Sequence, residues 1–294
     1  MRMKRVAALA VTAALALAMA ACGDDSGDDS GSSGTSDVTF EPGTTMDKLN
    51  KAGKITVGTK FDQPLFGLKG LDGKPAGFDV EIAKIIADKL GISEDKIEFV
   101  ETPSTVREQV IQDGKVDIVA ATYTINAKRK EVIDFAGPYY IAGQTILVKA
   151  DDSSITGPDS FKDGTKKVCS VTNSTPATNI KKYLKDEATQ LVLFDVYSKC
   201  LDALKNGQVN AITTDNVILT GYMSQNEGMY KLAGTPFTEE PYGIGVKKGD
   251  DKFREFINKT LETAFTDGSY EKAWTDTAGK FDTNPIKTPT INRY

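Results

Sequence analysis

The sequence predicts an α/β fold built as two lobes, each a mostly parallel sheet flanked by helices. Strand-like and helix-like segments alternate from residue 54 onward, and such alternation produces parallel sheets that are covered by helices. The alternation runs to residue 120 and begins again at residue 144, without a fixed-period repeat. The length of 294 residues also corresponds to about two folded units.

Residues 1–21 predict a secretory signal peptide. Three basic residues lie among the first five, and an uncharged run of 16 residues follows up to Ala21. A membrane-spanning helix needs about 20 apolar residues, so this run is typical of an export signal instead. The small residues before Cys22 resemble the bacterial lipobox, which implies that Cys22 is lipidated and becomes the mature N-terminus. Ordinary signal cleavage nearby and a buried free cysteine are the alternatives.

Residues 22–43 predict a tether that begins at the lipidated cysteine. The stretch 23–36 consists of Gly, Asp, Ser and Thr, and it cannot bury enough apolar surface to order itself. Its four aspartates lack the spacing and the closing glutamate of a calcium-binding EF-hand loop. We therefore expect a domain that is anchored to the outer face of the cell membrane through Cys22.

The composition narrows the classes of function. The sequence contains no histidine, which excludes Ser-His-Asp and Cys-His catalysis and also histidine-ligated metal sites. The net charge of −5 argues against a general nucleic-acid-binding protein. If Cys22 is lipidated, Cys169 and Cys200 remain, an even number in an exported protein. They form either a disulfide or two buried thiols.

The first half of the folded region follows a βαβαβ order. Apolar residues at helical spacing predict a helix that Gly91 ends, and an Asp-Gly pair ends a second helix. The predicted strands are 54–58, 96–100 and 116–120, and the predicted helices are 78–90 and 104–112.

The second half repeats this order and adds two closing helices. The predicted strands are 144–149, 166–170, 190–194, 209–213 and 242–247, and the predicted helices are 175–185, 196–206, 215–225, 250–266 and 269–278. The short segments 139–143 and 239–242 are expected to cross between the lobes. The first lobe would then comprise residues 44–140 and 243–294, and the second lobe residues 141–242.

Candidate binding residues follow the predicted strands, because ligands of open parallel sheets bind beyond the carboxyl ends of the strands. Lys60 and Phe61 follow the first strand, where they can hold an anion and an aliphatic stem. Ser104 and Arg107 lie at a helix start, where free N–H groups favour anions. The alternatives are a surface lysine at position 60, and N-capping by Ser104 beside a solvated Arg107.

Further candidates follow the later strands. Thr124 and Arg129 lie five residues apart across a turn into a short helix, where a guanidinium can bind a carboxylate through two hydrogen bonds. An exposed basic helix is the alternative. Ser174 and Thr175 open another helix, and Asp215 lies between a strand and a helix, where it can receive an ammonium group. N-capping is the alternative at position 215, whereas at position 174 it can coexist with a ligand contact.

Four segments together resemble the solute-binding proteins of polar amino-acid ABC importers, over about residues 44–283. Within that family the glutamate-binding lipoproteins are the most similar, through residues 59–64, 121–127 and 169–176 and the cysteine pair. The resemblance implies the periplasmic-binding-protein type II fold, with two hinge strands between the lobes. The segments are GKPAGFDVEIAK at 73–84, VDIVAATYTINAKRKEVIDFAGPYY at 116–140, AITTD at 211–215 and YGIGVKKGD at 242–250.

The resemblance also implies a role for each candidate. Arg129 and Thr124 match the clamp for the α-carboxylate of an amino acid, and Asp215 matches the partner of its ammonium group. The carbonyl of Thr122 would lie near that ammonium. The other candidates match contacts to the α-carboxylate on closure (Thr175 and Ser174), contacts to a side-chain carboxylate (Lys60, Arg107 and Ser104) and the pocket wall (Tyr123 and Phe61).

These inferences predict a monomer that captures glutamate by hinge closure and delivers it to ABC permease subunits in the membrane. It would need no cofactor and no metal, and it would not be an enzyme. Binding of aspartate or glutamine, and a role as a glutamate sensor, are the alternatives. A dehydratase on the same fold would need a carboxylic acid of raised pKa in the cleft, for which Asp62 is the one candidate outside the ammonium site.

Overall fold

The computed structural model describes residues 38–294. The predicted signal peptide, Cys22 and most of the predicted tether lie outside the described residues. Among residues 38–294, none of the helices combines the length and the apolar character that crossing a membrane requires.

The described chain forms strands and helices in alternation. The strands are β1 (Ile55–Thr59), β2 (Asp62–Gln63), β3 (Gly67–Lys69), β4 (Pro75–Ala76), β5 (Ile97–Glu101), β6 (Ile118–Val119), β7 (Ile133–Ala142), β8 (Gln144–Lys149), β9 (Val168–Val171), β10 (Leu191–Phe194), β11 (Ala211–Asp215), β12 (Tyr230–Ala233) and β13 (Glu240–Lys247). The helices are α1 (Thr45–Ala52), α2 (Phe78–Lys89), α3 (Arg107–Gln112), α4 (Ala127–Lys130), α5 (Thr175–Ile180), α6 (Glu187–Gln190), α7 (Tyr197–Lys205), α8 (Asn216–Ser224), α9 (Asp251–Asp267) and α10 (Ser269–Asp276).

Two five-stranded sheets organise the molecule, and we call each sheet with its helices a lobe. The first sheet has the order β5-β1-β6-β13-β7, and the second has the order β10-β9-β11-β8-β12. In each sheet the first three strands are parallel, because a helical connection returns the chain to the same edge. The other two strands are antiparallel to their neighbours. The predicted α/β class is confirmed. In each sheet, two of the four strand pairs are parallel and two are antiparallel.

The antiparallel strands arise where the chain passes between the sheets. Strand β7 of the first sheet ends at Ala142, and β8 of the second sheet begins at Gln144. The chain returns from β12 into β13, whose Glu240 pairs with Ala142. Since one crossing leads out and the other leads back, β7 and β13 run in opposite directions. The predicted crossing segments therefore lie at the end of β7 and the start of β13.

Buried aromatic rings fill the first lobe next to these crossings. Phe66 and Phe78 contact each other edge-on at 5.9 Å, and Trp274 stacks on Tyr140 at 5.4 Å between ring centroids. Helix α2 contributes Phe78 and buries a continuous apolar face against the sheet and α9. This packing supplies a rigid base for the loops that follow the strands.

Some elements depart from the sequence prediction. The helix expected from residue 104 begins at Arg107, because the preceding residues form a turn closed by Val106 N–H and the Pro103 carbonyl. The helix expected to reach residue 185 ends at Ile180 and tightens into a 3₁₀ turn. Helix α1, the small sheet β2-β3-β4 and β12 had no counterpart in the prediction. These four strands are short: β2, β3 and β4 pair with one another within 15 residues of sequence, whereas β12 pairs with the distant β8.

Cys169 and Cys200 form a disulfide that ties β9 to α7, with 5.6 Å between their Cα atoms. Both cysteines are fully buried. The disulfide alternative is therefore confirmed, and the alternative of two free thiols is wrong.

Candidate functional site

A small pocket, with a cavity volume of about 10 Å³, lies where the two sheets face each other. Its residues follow the carboxyl ends of the three parallel strands of each sheet, as expected for open α/β sheets. Because both lobes contribute, a molecule in this pocket would touch both. The lining residues are Gln63, Ser104, Arg107, Thr122, Thr124 and Arg129 from the first lobe, and Ser174, Thr175, Pro176, Tyr197, Thr214, Asp215 and Ile218 from the second.

Arg129 joins the two lobes at the pocket. Asn126 caps α4 by accepting a hydrogen bond from the Arg129 N–H, and the short helix then directs the side chain inward. The guanidinium donates to the Thr124 carbonyl at 2.7 Å and to Glu108 at 3.1 Å within the first lobe. It also donates to Thr175 Oγ1 at 3.1 Å in the second lobe. Arg129 is only 6% exposed, so the exposed-helix alternative is wrong for this residue.

Arg107 is a second buried cation, with 3% of its surface exposed. Its guanidinium lies 4.1 Å from the centre of the Tyr123 ring and donates to the Ala121 carbonyl at 2.8 Å. Burial, and then the charge of Arg129, lower the pKa of Arg107. Its Nε has no hydrogen-bond partner within residues 38–294. The alternative of a solvated arginine is wrong, and this buried charge is suited to an anionic partner.

Lys60 is a third buried cation, 4% exposed, and donates to Ser104 Oγ at 3.1 Å. Burial, and then the charge of Arg107, lower the pKa of Lys60 well below its usual value. The surface-lysine alternative is wrong. N-capping by Ser104 is also wrong, since α3 begins only at Arg107 and Val106 occupies its cap position.

The loop after β6 is fixed by a buried carboxylate. Thr122 has a left-handed backbone with φ of 45°, which side chains other than glycine rarely adopt. Asp79, at the start of α2, accepts a hydrogen bond from the Thr122 N–H at 2.7 Å and another from the Tyr139 hydroxyl. Burial raises the pKa of Asp79 to about 7. These bonds hold Thr122 at the pocket wall, and they explain why an aspartate lies in the buried face of α2.

Asp215 supplies the negative side of the pocket. It is 2% exposed, and its Oδ2 accepts a hydrogen bond from the Tyr242 hydroxyl at 2.6 Å. Asp215 occupies the N-cap position of α8, as the alternative had it, but its side chain makes no capping hydrogen bond. Burial, and then the nearby Glu240 carboxylate, raise the pKa of Asp215 to about 7. Its Oδ1 has no hydrogen-bond partner in the described part of the chain, which leaves an acceptor for a cationic group.

The side chains of Ser174 and Thr175 make different contacts at the start of α5. Ser174 Oγ accepts a hydrogen bond from the Ala177 N–H at 3.0 Å, so the predicted N-cap is confirmed. Thr175 turns its hydroxyl toward Arg129. Both residues line the pocket.

Eight of the predicted site residues thus line one pocket: Ser104, Arg107, Thr122, Thr124, Arg129, Ser174, Thr175 and Asp215. Lys60 and Tyr123 lie behind this lining, against Ser104 and the Arg107 guanidinium. Phe61 is half-buried beneath Lys69 and does not line it. Contacts of Lys60, Tyr123 and Phe61 with a ligand stay a prediction.

Sequence reasoning missed five lining residues: Gln63, Pro176, Tyr197, Thr214 and Ile218. Tyr197 follows the carboxyl end of β10, so the rule that found the other candidates also applies to it. Asp62, the candidate acid of a dehydratase, is not among the lining residues. Its carboxylate accepts hydrogen bonds from two backbone N–H groups of α7 instead.

The sequence profile of the bacterial extracellular solute-binding proteins, family 3, matches residues 55–276. The chain belongs to this family. The predicted family and its two-lobe fold are therefore confirmed. This solute-binding protein is 40% identical over 286 residues to the glutamate-binding protein GluB of Corynebacterium efficiens, covering 94% of the chain and 91% of that relative.

Other proteins similar to this solute-binding protein are named for the binding of other amino acids. It is 38% identical over 274 residues to the ABC transporter glutamine-binding protein GlnH of Bacillus subtilis, covering 92% of the chain and 96% of that relative. An ancestral arginine-binding protein solved with arginine superposes with a TM-score of 0.71 at 39% identity. The match covers 76% of this chain and 98% of that structure. The shared fold therefore accommodates different side chains, and the pocket residues must decide among them.

Proposed function

We propose that this protein captures glutamate between its lobes and delivers it to ABC permease subunits in the membrane. The supporting observation is the charge arrangement of one pocket: Arg107 and Arg129 line it, Lys60 lies directly behind, and Asp215 faces them from the second lobe. A free amino acid presents one carboxylate and one ammonium group. A second carboxylate, on the side chain of the ligand, would pair with Arg107 and Lys60.

In this proposal Arg129 and Thr124 bind the α-carboxylate. Beside its ion pair with Glu108, Arg129 donates to two neutral acceptors, the Thr124 carbonyl and the Thr175 hydroxyl. A carboxylate is a stronger acceptor for a guanidinium than a neutral oxygen. The free Oδ1 of Asp215 and the Thr122 carbonyl receive the ammonium group, so the ligand bridges the lobes and stabilises closure.

Lys60 and Arg107, with Ser104 between them, favour a side-chain carboxylate. Burial lowers the pKa of both cations, and a nearby anion would stabilise their charged forms. The side chain of glutamine ends in a neutral amide, so it would leave these buried cations partly unpaired. Such unpaired buried charges reduce the binding free energy by roughly several kcal/mol. Since a micromolar dissociation constant corresponds to about −8 kcal/mol, the difference decides specificity. The similarity to GlnH makes glutamine the second candidate ligand.

We further propose that residues 44–140 and 243–294 move as one lobe and residues 141–242 as the other. Strands β8 to β12 all belong to the second sheet, which supports these limits. The N-terminal segment, through Cys22, would anchor the monomeric domain to the outer face of the cell membrane.

Titration calorimetry of the mature protein with glutamate, aspartate, glutamine and asparagine tests the specificity. We expect glutamate to bind about 100-fold more tightly than glutamine, or about 2.7 kcal/mol. Tighter binding of glutamine would contradict the role given to Lys60 and Arg107.

Two arginine variants test the site itself. Arg129→Ala should abolish binding of every amino acid, whereas Arg107→Ala should mainly weaken acidic ones. Lys128→Ala is the matched control, because Lys128 is the exposed neighbour of Arg129 on α4 and should bind like the wild type. Unchanged glutamate affinity in either arginine variant would refute the site.

A further inference from the structure

Asp62 receives several hydrogen bonds from the opposite lobe. It opens β2 in the first lobe, next to the pocket residue Gln63. Its Oδ2 accepts from the N–H groups of Tyr197 at 2.9 Å and Ser198 at 3.3 Å, both at the start of α7 in the second lobe. The Tyr222 hydroxyl of α8 donates to the Asp62 carbonyl at 2.7 Å and lies 3.1 Å from Oδ2.

The same place shows a close approach of backbones. A Cβ built on Gly221 of α8 would lie 2.3 Å from the Pro64 carbonyl oxygen, far inside van der Waals distance. Only a glycine therefore permits residues 62–64 and α8 to meet as they do. Asp62 and Tyr222 are not among the residues that line the pocket.

We propose that Asp62 and Tyr222 form a closure latch, which stabilises the closed arrangement of the lobes independently of which amino acid is bound. The inference rests on the proposed function, because it concerns the closure step. A carboxylate at the N-terminus of the nine-residue helix α7 is favourable through the helix dipole and through charge-assisted hydrogen bonds. These contacts exist only when the lobes approach, so their free energy adds to closure alone.

A contribution to closure has a characteristic effect on binding. It changes the population of the binding-competent closed state, and the apparent affinity for every ligand changes by the same factor. A residue that contacts the ligand would instead change the affinities unequally. The latch also opposes reopening, so its loss should act mainly on the dissociation rate. Asp62 and Tyr222 are thus positioning residues and make no contact with the ligand.

Tyr222→Phe is the variant of choice. It removes the hydroxyl and keeps the ring, and it leaves the Asp62 charge that favours the charged form of Lys60. We expect affinities for glutamate and for glutamine to fall by the same factor of about ten, or 1.4 kcal/mol, chiefly through faster dissociation. Tyr230→Phe is the matched control, a tyrosine of the second sheet that is not a donor to Asp62. It should leave both rates unchanged.

Stopped-flow kinetics and calorimetry would measure these values, and small-angle X-ray scattering of the ligand-free proteins would compare their compactness. The latch is overturned if Tyr222→Phe changes the ratio of the glutamate affinity to the glutamine affinity, or if its dissociation rates equal those of the wild type. If the wild type binds no amino acid, the proposed function fails, and scattering still tests the latch. A larger radius of gyration for ligand-free Tyr222→Phe than for the wild type then supports it, and equal radii overturn it. Asp62→Asn, tested with glutamine, should also speed dissociation and replaces Tyr222→Phe should the latter not fold.

Discussion

The affinity for amino acids should fall as the pH falls below about 7, because Asp215 must be ionised to receive an ammonium group. Burial and the neighbouring Glu240 raise the pKa of Asp215 to about 7. Below this pH the carboxyl is protonated, and binding must first remove the proton. The cost is about 1.4 kcal/mol per pH unit, so the affinity at pH 5 should be about 100-fold lower than at pH 8.

Calorimetry with glutamine is the appropriate assay, since this ligand has no side-chain carboxyl that titrates in this range. At pH 6 about nine in ten Asp215 side chains would be protonated, so binding should release about 0.9 proton per ligand. Repeating the titration in buffers of different ionisation enthalpy measures this number. Asp215→Asn, which cannot titrate, should bind weakly with little pH dependence. A wild-type affinity that is constant from pH 5 to pH 8 would refute the role of Asp215.

The same pKa predicts an opposite trend for stability without ligand. A carboxyl whose pKa is raised on folding contributes stability below its unfolded pKa of about 4, and this contribution is lost as the pH rises toward 7. Asp79, whose pKa burial also raises to about 7, acts in the same direction. The melting temperature of the ligand-free protein should therefore decrease between pH 4 and pH 7. The gap between ligand-saturated and ligand-free melting temperatures should widen over the same range.

Three further predictions concern packing. Replacing Cys169 and Cys200 by alanine should lower the free energy of unfolding by about 3–4 kcal/mol, because the disulfide closes a loop of about 30 residues. Urea denaturation measures this, and an unchanged denaturation midpoint would contradict it. Gly221→Ala should weaken binding of all ligands by about tenfold or more through its clash with Pro64. Calorimetry measures this, and an unchanged affinity would refute the close approach. Tyr294→Ala should lower the melting temperature by about 2–4 °C, because the Tyr294 hydroxyl accepts from a β7 N–H and its ring contacts the cationic groups of Lys130 and Arg254. Scanning calorimetry measures this, and an unchanged melting temperature would show that the terminal contact adds nothing.

Much of the fold could be predicted because helices and strands follow from local patterns. The apolar face of α2, the strand β8 and the two closing helices were found within a residue or two of their true limits. Elements without a local pattern were missed. β12 is four residues long and is held by its pairing with β8. The turn before Arg107 also depends on contacts that residue spacing does not reveal.

The site was partly predictable for a related reason. Arg129 follows a strand and Asp215 ends one, and the strand order alone brings them to one edge of their sheets. The resemblance to known binding proteins then suggested which group each would hold. The sequence could not show that Glu240 lies near Asp215 and raises its pKa, since β13 meets β11 only in the folded chain. It also gave no sign that Asp79 holds the loop at Thr122.

The sequence by itself therefore determined the longer elements, the family and the charged groups of the pocket. Local periodicity and short motifs are properties of neighbouring residues, and they can be read without knowing how the chain packs. Only the tertiary structure decided that Lys60 and Arg107 are buried cations, where solvated side chains had been the alternative. It also decided that Asp62 faces the opposite lobe and not the pocket. Burial and cross-lobe contacts depend on how two distant sheets meet, and no local pattern encodes that meeting.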